Sequence, residues 1–329
     1  MKIYQYISVL AVCVLSFGVT SCMKYEKKAN SHTSGTTTIV CDNTFENIMK
    51  QEIDVFEYQY PDAHILARYA TQSEAFDSLM SLNTKTIIAA RDVTPQEREA
   101  LKNKRRTVRS TKIAVDAVAL IVNPANPVGK LTLDEVADIL SGRSSNWNDL
   151  QPSDLGEISV VFDDKASSLV GYMRDSLLNG KELGANVYAQ GSIPEVFKAV
   201  MNNKNAIGVL GVSWITSDMS SADVSKADLA ASVLSNDPVQ GATLSDKVKV
   251  ISLYPRGGAE ARAYKPYQEY IFSGKYPLFR QIYMITTGAS GSLAGGFYAF
   301  VTGEIGQKII MKTGIMPARA TRIQVVELQ

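Results

Sequence analysis

The chain of 329 residues carries 34 lysines and arginines against 33 aspartates and glutamates, a formal net charge of +1. This balance leaves no basic surplus for a nucleic-acid-binding protein, and the length is sufficient for two domains. The sequence contains three cysteines and two histidines. Its composition therefore argues against a disulfide-rich protein and against a metal centre built from histidine and cysteine.

The N-terminal segment, residues 1–21, has the pattern of an export signal. Lys2 precedes an apolar stretch over residues 7–19, which is too short to span a bilayer comfortably. The segment ends in Val-Thr-Ser before Cys22, which resembles the lipobox of bacterial lipoproteins and implies cleavage before Cys22 and lipid attachment to its thiol. We therefore expect a protein of the cell envelope, anchored by lipid on a periplasmic or extracytoplasmic face. The alternative is an ordinary cleaved signal in which Cys22 has no role.

Residues 22–37 are polar, then rich in Ser, Thr and Gly. Such a composition cannot bury a core, so we predict a flexible tether between the anchor and the folded body.

The body alternates short apolar runs with segments of helical periodicity, which predicts an α/β fold with largely parallel sheets. The predicted strands are 37–41, 63–70, 86–90, 114–122, 158–162, 206–212, 248–253 and 281–287. Predicted helices follow most of these strands, and a long helical pattern over 293–310 closes the chain. We predict one lobe from residues 38–122 with 287–329 and a second from 123–286. Two hinge crossings would join the lobes and leave a cleft between them.

Several segments resemble the phosphate-binding proteins of ABC importers, which have the type II periplasmic binding fold. They are AVALIVNPANP at 117–127, LTLDEVADILSGRSSNW at 131–147, AIGVLG at 206–211, YPL at 276–278, GEIGQKII at 303–310 and GIMP at 314–317. The resemblance implies a monomeric binding protein, without cofactor or metal, that captures phosphate or a similar oxyanion between its lobes. An ABC permease would be its partner, and its only membrane contact would be the lipid anchor.

In the first lobe the resemblance assigns ligand contacts to four residues. Thr44 and Phe45 match the turn that opens the first helix, Ser73 matches the serine that opens the second, and Asp92 matches the carboxylate that accepts the proton of hydrogen phosphate. The alternative is that Thr44, Ser73 and Asp92 cap helices, a role compatible with ligand contact.

The second lobe departs from the family pattern of an arginine, three residues and then Ser-Gly-Thr. Asp163 stands in the place of the arginine, Ser167 keeps the serine, Ser168 replaces the glycine and Leu169 replaces the threonine. Ser167 and Ser168 are thus the predicted ligand contacts of this lobe. A carboxylate at position 163 would repel an oxyanion unless it pointed away or was paired.

Two cations are candidates to restore the missing positive charge, Lys165 near Asp163 and Arg91 on the other lobe. The alternative for Lys165 is a solvated loop lysine, and lysine does not replace the bidentate geometry of arginine.

Two further hypotheses stay open alongside phosphate capture. The same scaffold could bind another small solute, neutral or cationic, or it could serve as a sensor or surface interaction protein that has lost the phosphate pocket. An enzyme is the weakest hypothesis. His32 falls in the tether, His64 lies near a strand start, and no nucleophile elbow or Gly-rich phosphate loop occurs.

Overall fold

The structure, a computed structural model, describes residues 30–216, 225–235, 243–257 and 262–319. The predicted signal peptide, residues 1–21, and the predicted lipidation site, Cys22, lie outside the described residues. Within those ranges, none of the helices has the length and apolar character needed to cross a membrane.

The order of elements confirms the predicted α/β class. The strands are β1 (Gly35–Asp42), β2 (Ala63–Ala70), β3 (Thr86–Ala89), β4 (Arg109–Val122), β5 (Lys130–Leu131), β6 (Ser159–Phe162), β7 (Val187–Ala189), β8 (Ala206–Gly211), β9 (Lys249–Val250), β10 (Ser252–Leu253), β11 (Phe279–Thr286) and β12 (Met316–Pro317). The α-helices are α1 (Glu46–Gln59), α2 (Gln72–Met80), α3 (Pro95–Asn103), α4 (Leu133–Ser141), α5 (Ser168–Leu177), α6 (Ile193–Asn202), α7 (Lys226–Leu234), α8 (Gln268–Phe272), α9 (Leu293–Thr302) and α10 (Glu304–Lys312). Short 3-10 helices cover Asn43–Phe45, Trp147–Asp149 and Val212–Trp214.

The main sheet runs in the order β2-β1-β3-β11-β4-β8-β6-β7. Its two ends are parallel, since β1 pairs with β2 and β3, and β6 pairs with β7 and β8, in the parallel sense. The middle is antiparallel, because β11 pairs with β3 and β4, and β4 pairs with β8. The two parallel ends are the two halves of the molecule, joined through β4 and β11.

Strand β4 belongs to both halves. Its residues 109–117 pair with β11, and its residues 118–122 pair with β8. Sequence analysis predicted this strand from 114, five residues late, because its first residues are polar and partly exposed and do not continue the apolar run. A single continuous strand therefore carries the chain from one half into the other.

Two boundaries differ from the prediction. Strand β1 begins at Gly35, because Gly35 donates a hydrogen bond to the Asp62 carbonyl at 2.8 Å and the threonines that follow pair with β2. The predicted tether thus ends before Gly35 and not at 37. Strand β11 lies between β3 and β4. We therefore propose that residues 279–286 go with the first lobe, whereas our predicted division placed them in the second.

The closing helical pattern is broken into α9 and α10 at Gly303, whose backbone is extended. The break lets α10 fold back on α9. Gly306 packs so closely that a Cβ there would lie 2.6 Å from the Val301 backbone. Apolar periodicity continues across the break, which is why the sequence pattern shows one helix.

A buried ion pair connects β4 and β11. Asp116 and Arg280 are partners in the antiparallel register, with Nη2 of Arg280 3.0 Å from Oδ2 of Asp116 and side chains 2% and 0% exposed for arginine and aspartate. Burial raises the pKa of the Asp116 carboxyl, and the Arg280 charge opposes that rise. A Cβ on Gly211 would lie 2.6 Å from the same carboxylate oxygen, so only glycine leaves room for it.

We predict that Arg280→Met destabilises the protein by about 3–5 kcal/mol, since Asp116 is then left as a buried charge without a cation. The double variant Arg280→Met with Asp116→Leu should recover most of that loss. Urea denaturation of both variants measures the two free energies of unfolding.

The matched control is Arg143→Met, which breaks the exposed ion pair with Asp138. This change should cost less than about 1 kcal/mol, as is typical of surface pairs. If Arg280→Met cost no more than the control, the pair would not organise the junction of β4 and β11.

Glu52 is a second buried carboxyl group, on the inner face of α1. Its side chain is fully buried, and neither carboxylate oxygen has a hydrogen-bond partner among the described residues. Burial raises the pKa of Glu52 well above its ordinary value. The native state therefore holds a proton at this carboxyl that the unfolded chain releases at lower pH.

Because the pKa of Glu52 is raised in the native state, the stability that depends on its proton should be lost as pH rises above the ordinary glutamate range. Glu52→Gln should reduce this decline and raise the free energy of unfolding near pH 8 by about 1 kcal/mol or more. Urea denaturation at pH 5 and pH 8 tests this, with Glu182→Gln as the exposed control. Equal pH slopes for wild type and Glu52→Gln would contradict the assignment.

Candidate functional site

The site lies where the carboxyl ends of β1 and β6 meet. Thr44 is in the 3-10 turn directly after β1, and Ser168 is the first residue of α5, which follows β6. The two hydroxyl oxygens lie 3.3 Å apart, and both residues are buried. Polar side chains from both halves of the molecule therefore meet at one point, as ligand-binding residues do at strand ends in α/β folds.

The local sequence holds Thr44 in place. Oδ1 of Asp42 accepts hydrogen bonds from the Thr44 amide at 3.0 Å and from its hydroxyl at 2.9 Å. The indole of Trp214 donates to the Thr44 carbonyl at 2.8 Å. Thr44 is thus not itself a helix cap, since Asp42 caps the 3-10 turn and Phe45 precedes α1 without a side-chain bond.

The cation at the centre of the site is Arg280. Its Nη1 donates to the Ser168 hydroxyl at 2.8 Å and its Nη2 to the Thr44 hydroxyl at 3.1 Å. The guanidinium carbon lies 4.4 Å from the centre of the Phe45 ring, a cation–π contact. One buried side chain on β11 therefore contacts the predicted ligand residues of both walls.

Neither of the two cations that sequence analysis proposed takes this place. Lys165 is exposed on its loop. The guanidinium of Arg91 makes two bonds to Glu97, at 2.9 and 2.8 Å, and stacks on Phe76. The sequence does carry a signal for Arg280. Buried and more exposed residues alternate along the first part of β11, and the buried positions 280, 282 and 284 are Arg, Ile and Met. Arg280 is therefore a charged residue in an otherwise apolar buried series.

Asp163, directly after β6, is buried and 1% exposed. Neither of its carboxylate oxygens makes a hydrogen bond of good geometry among the described residues. Burial raises the pKa of Asp163, the Ser167 hydroxyl and the amides of Asp164 and Asp163, which lie close by, offset part of the rise, and the charge of Asp42 adds to it. The carboxylate thus neither points into solvent nor pairs with Lys165.

The neighbouring residues explain the other departures from the family pattern. Ser167 caps α5, its hydroxyl accepting the Leu169 amide at 3.2 Å. Leu169 is fully buried and belongs to the hydrophobic core, so this position packs α5 against the body. Ser168 supplies the hydroxyl on this wall.

Ser73 and Asp92 make no hydrogen bond to Thr44, Ser168 or Arg280 within the part of the chain that the structure describes. Ser73 is exposed in the first turn of α2, which is capped by Thr71. Asp92 is exposed, and its Oδ1 accepts the Val93 amide at 2.6 Å. Thr94, and not Asp92, caps α3. Ligand contact by Ser73 and Asp92 stays a prediction.

The arrangement offers both donors and acceptors. Its donors are the Arg280 guanidinium and the Ser168 hydroxyl, since the Thr44 hydroxyl already donates to Asp42. Its acceptors are the oxygens of the Thr44 and Ser168 hydroxyls and Oδ2 of Asp42. Such a set suits a small polar solute that both accepts and donates hydrogen bonds. Among the described residues there is no group of three or more His, Cys, Asp or Glu side chains that could hold a metal ion.

Comparison with known proteins identifies relatives of this chain. The chain is 22% identical over 313 residues to the phosphate-binding protein PstS of Pseudomonas aeruginosa, covering 90% of this chain and 87% of that protein. It is 23% identical over 297 residues to PstS of Bacillus subtilis, covering 90% and 85% respectively. These relatives confirm the predicted resemblance.

Solved structures show the same fold. A phosphate ABC transporter substrate-binding protein from Clostridium perfringens, with bound phosphate, superposes with a TM-score of 0.67 at 22% identity and covers 87% of this chain and 100% of its own. An ABC-type phosphate transport receptor from Vibrio cholerae gives 0.60 at 19% identity, covering 86% and 100%. The fold is therefore the two-lobed type II periplasmic binding fold. The family model of the PBP superfamily domain matches residues 26–304, and the chain belongs to that superfamily.

Proposed function

We propose that this protein captures phosphate or a similar oxyanion in the cleft between its lobes and delivers it to an ABC permease. The observation that carries the proposal is the convergence of Thr44, Ser168 and Arg280, which brings two hydroxyls and a guanidinium from three separate elements to one buried point. In this proposal the protein binds and releases its solute without chemical change.

The physical basis is the concentration of hydrogen-bond donors. A guanidinium binds tetrahedral oxyanions through two parallel N–H groups, and burial strengthens such charge-assisted bonds. Ser168 also begins α5, whose free amides and dipole favour an anion. Four of the five donor hydrogens of Arg280 lie on its two Nη atoms, which face Thr44 and Ser168 as well as Asp116.

Capture requires a hinge movement. The hydroxyls of Thr44 and Ser168 contact each other, so a ligand can enter between them only when the walls separate. A second cross-contact, from Asn47 Nδ2 to the Ser213 carbonyl at 2.7 Å, would open in the same movement. Hinged closure over a solute is the usual motion of two-lobed binding proteins.

The cellular location, the oligomeric state and the permease partner are part of the proposal. We place the protein in the cell envelope as a monomer, held by lipid at Cys22, with Ser73 and Asp92 at the outer rim of the cleft. The PstS relatives and the transport receptor from Vibrio cholerae support the permease partner, since their names describe phosphate binding and ABC-type transport.

A second candidate is a cationic solute in the same cleft. Oδ2 of Asp42 and the carboxylate of Asp163 favour it, because Arg280 is already paired with Asp116 and leaves their negative charge without a cation. Titration with oxyanions separates the two candidates.

We predict that the purified protein binds phosphate in a calorimetric titration at low salt. Ser168→Ala should weaken binding about three- to tenfold, because it removes one hydroxyl donor from the site. Sulfate and arsenate are titrated under the same conditions to define the class of anion.

Ser145→Ala, at an exposed position of the same half, serves as the control and should leave the affinity unchanged. The absence of heat with phosphate, sulfate and arsenate alike would contradict oxyanion capture and favour the cationic solute. Equal affinities for wild type and Ser168→Ala would place the ligand elsewhere.

A further inference from the structure

Residues 102–106, Lys-Asn-Lys-Arg-Arg, form a basic turn on the surface of the first half of the molecule, and all five are exposed. The wider stretch 98–112 holds seven lysines and arginines and one acidic residue, Glu99. Because the whole chain has a formal net charge of only +1, the remainder of the chain is net acidic. Positive charge is therefore concentrated at this turn and is not spread evenly over the chain.

The backbone of the basic turn is ordered by hydrogen bonds at the end of α3. The amide of Arg105 donates to the Lys102 carbonyl at 2.8 Å, and the amide of Arg106 donates to the Leu101 carbonyl at 2.9 Å. Leu101 is fully buried and holds the end of α3 against the body. The cations are therefore presented to solvent from a defined surface.

The charges of the basic turn are largely unused within the molecule. Among the described residues, the guanidinium groups of Arg105 and Arg106 make no hydrogen bond or ion pair. Lys102 contacts Glu99 at 3.5 Å, but both side chains are more than half exposed. Exposed pairs of this kind contribute little. The turn is therefore free to bind an anionic surface outside the chain.

An exposed apolar side chain lies near the basic turn. Nζ of Lys104 donates to the Met80 carbonyl at 2.6 Å, which joins the turn to the end of α2. Leu82, two residues beyond Met80, is 37% exposed. Protein surfaces that lie on a bilayer combine lysine and arginine, which face anionic headgroups, with apolar side chains that enter the interface.

This surface lies at the edge of the sheet opposite the cleft. Strands β1, β3 and β4 run in the same direction, since β1 is parallel to β3 and β11 is antiparallel to both β3 and β4. Thr44 follows β1 at the cleft, whereas the basic turn precedes β4 and Leu82 precedes β3. Residues 30–34 also enter β1 from this edge. The chain that leads from the proposed lipid anchor at Cys22 therefore joins the body on the same side as the basic turn.

We infer that the basic turn and Leu82 form a docking surface for an anionic lipid bilayer. Docking there directs the base of the first half toward the membrane and leaves the mouth of the cleft open to solution. Each lysine or arginine near an anionic bilayer strengthens binding roughly fivefold. The inference goes beyond the proposed function, and the surface requires neither phosphate binding nor acylation.

The test is sedimentation with vesicles of phosphatidylcholine alone or mixed with phosphatidylglycerol. Residues 22–329 are used with Cys22→Ser, so that no acyl chain contributes. This protein should prefer the anionic vesicles. Raising the salt from about 0.1 M to about 1 M should release it, because the Debye length falls from about 10 Å to about 3 Å. Arg105→Gln with Arg106→Gln should weaken binding about ten- to thirtyfold.

The matched control is Lys181→Gln with Lys204→Gln, which removes two exposed charges from the second half and should bind as wild type does. Equal losses in the two double variants, or no preference of wild type for anionic vesicles, would overturn the inference.

Leu82→Asn tests whether the partner is a bilayer or a soluble polyanion. Leu82 has a φ of 62°, and asparagine tolerates this left-handed conformation. The variant should bind vesicles more weakly and heparin as tightly as wild type does. Unchanged vesicle binding would contradict the bilayer as partner. Loss of phosphate binding, measured separately, would contradict the proposed function alone.

Discussion

The buried pair of Arg280 and Asp116 is the interaction on which the site depends. Removing two charges from water is costly, and the cost is recovered only when they meet in good geometry with their remaining hydrogen bonds satisfied. Here β4 and β11 bring the two residues into register at the point where β4 passes from one half to the other. The absence of a side chain at Gly211 leaves room for the carboxylate, and the Phe45 ring supports the guanidinium.

This pair also accounts for the altered second wall of the cleft. The sequence resemblance expects an arginine where Asp163 stands, but the site still contains a guanidinium, supplied by a different strand. Arg280 reaches the Thr44 and Ser168 hydroxyls from β11. The loop after β6 is then free to carry a carboxylate.

The resemblance to the phosphate-binding proteins assigned ligand contacts to Thr44 and Ser168, and in the structure their hydroxyls lie 3.3 Å apart. Arg280 could not be placed in this way, because its partner Asp116 is distant in sequence and the pairing depends on which strands are neighbours. Leu169 shows the same limit, since only packing reveals that it belongs to the core. The start of β4 was predicted too late, and the break at Gly303 was not predicted. In both places the apolar periodicity of the sequence does not coincide with the ends of the hydrogen-bonded element.

A crystal structure of the protein grown with phosphate tests the central claim most directly. The account predicts a phosphate between Thr44 and Ser168, with an oxygen within hydrogen-bond distance of the Arg280 guanidinium and Arg280 still paired with Asp116. A phosphate bound away from Arg280, with the guanidinium still bonded to both hydroxyls, would contradict it.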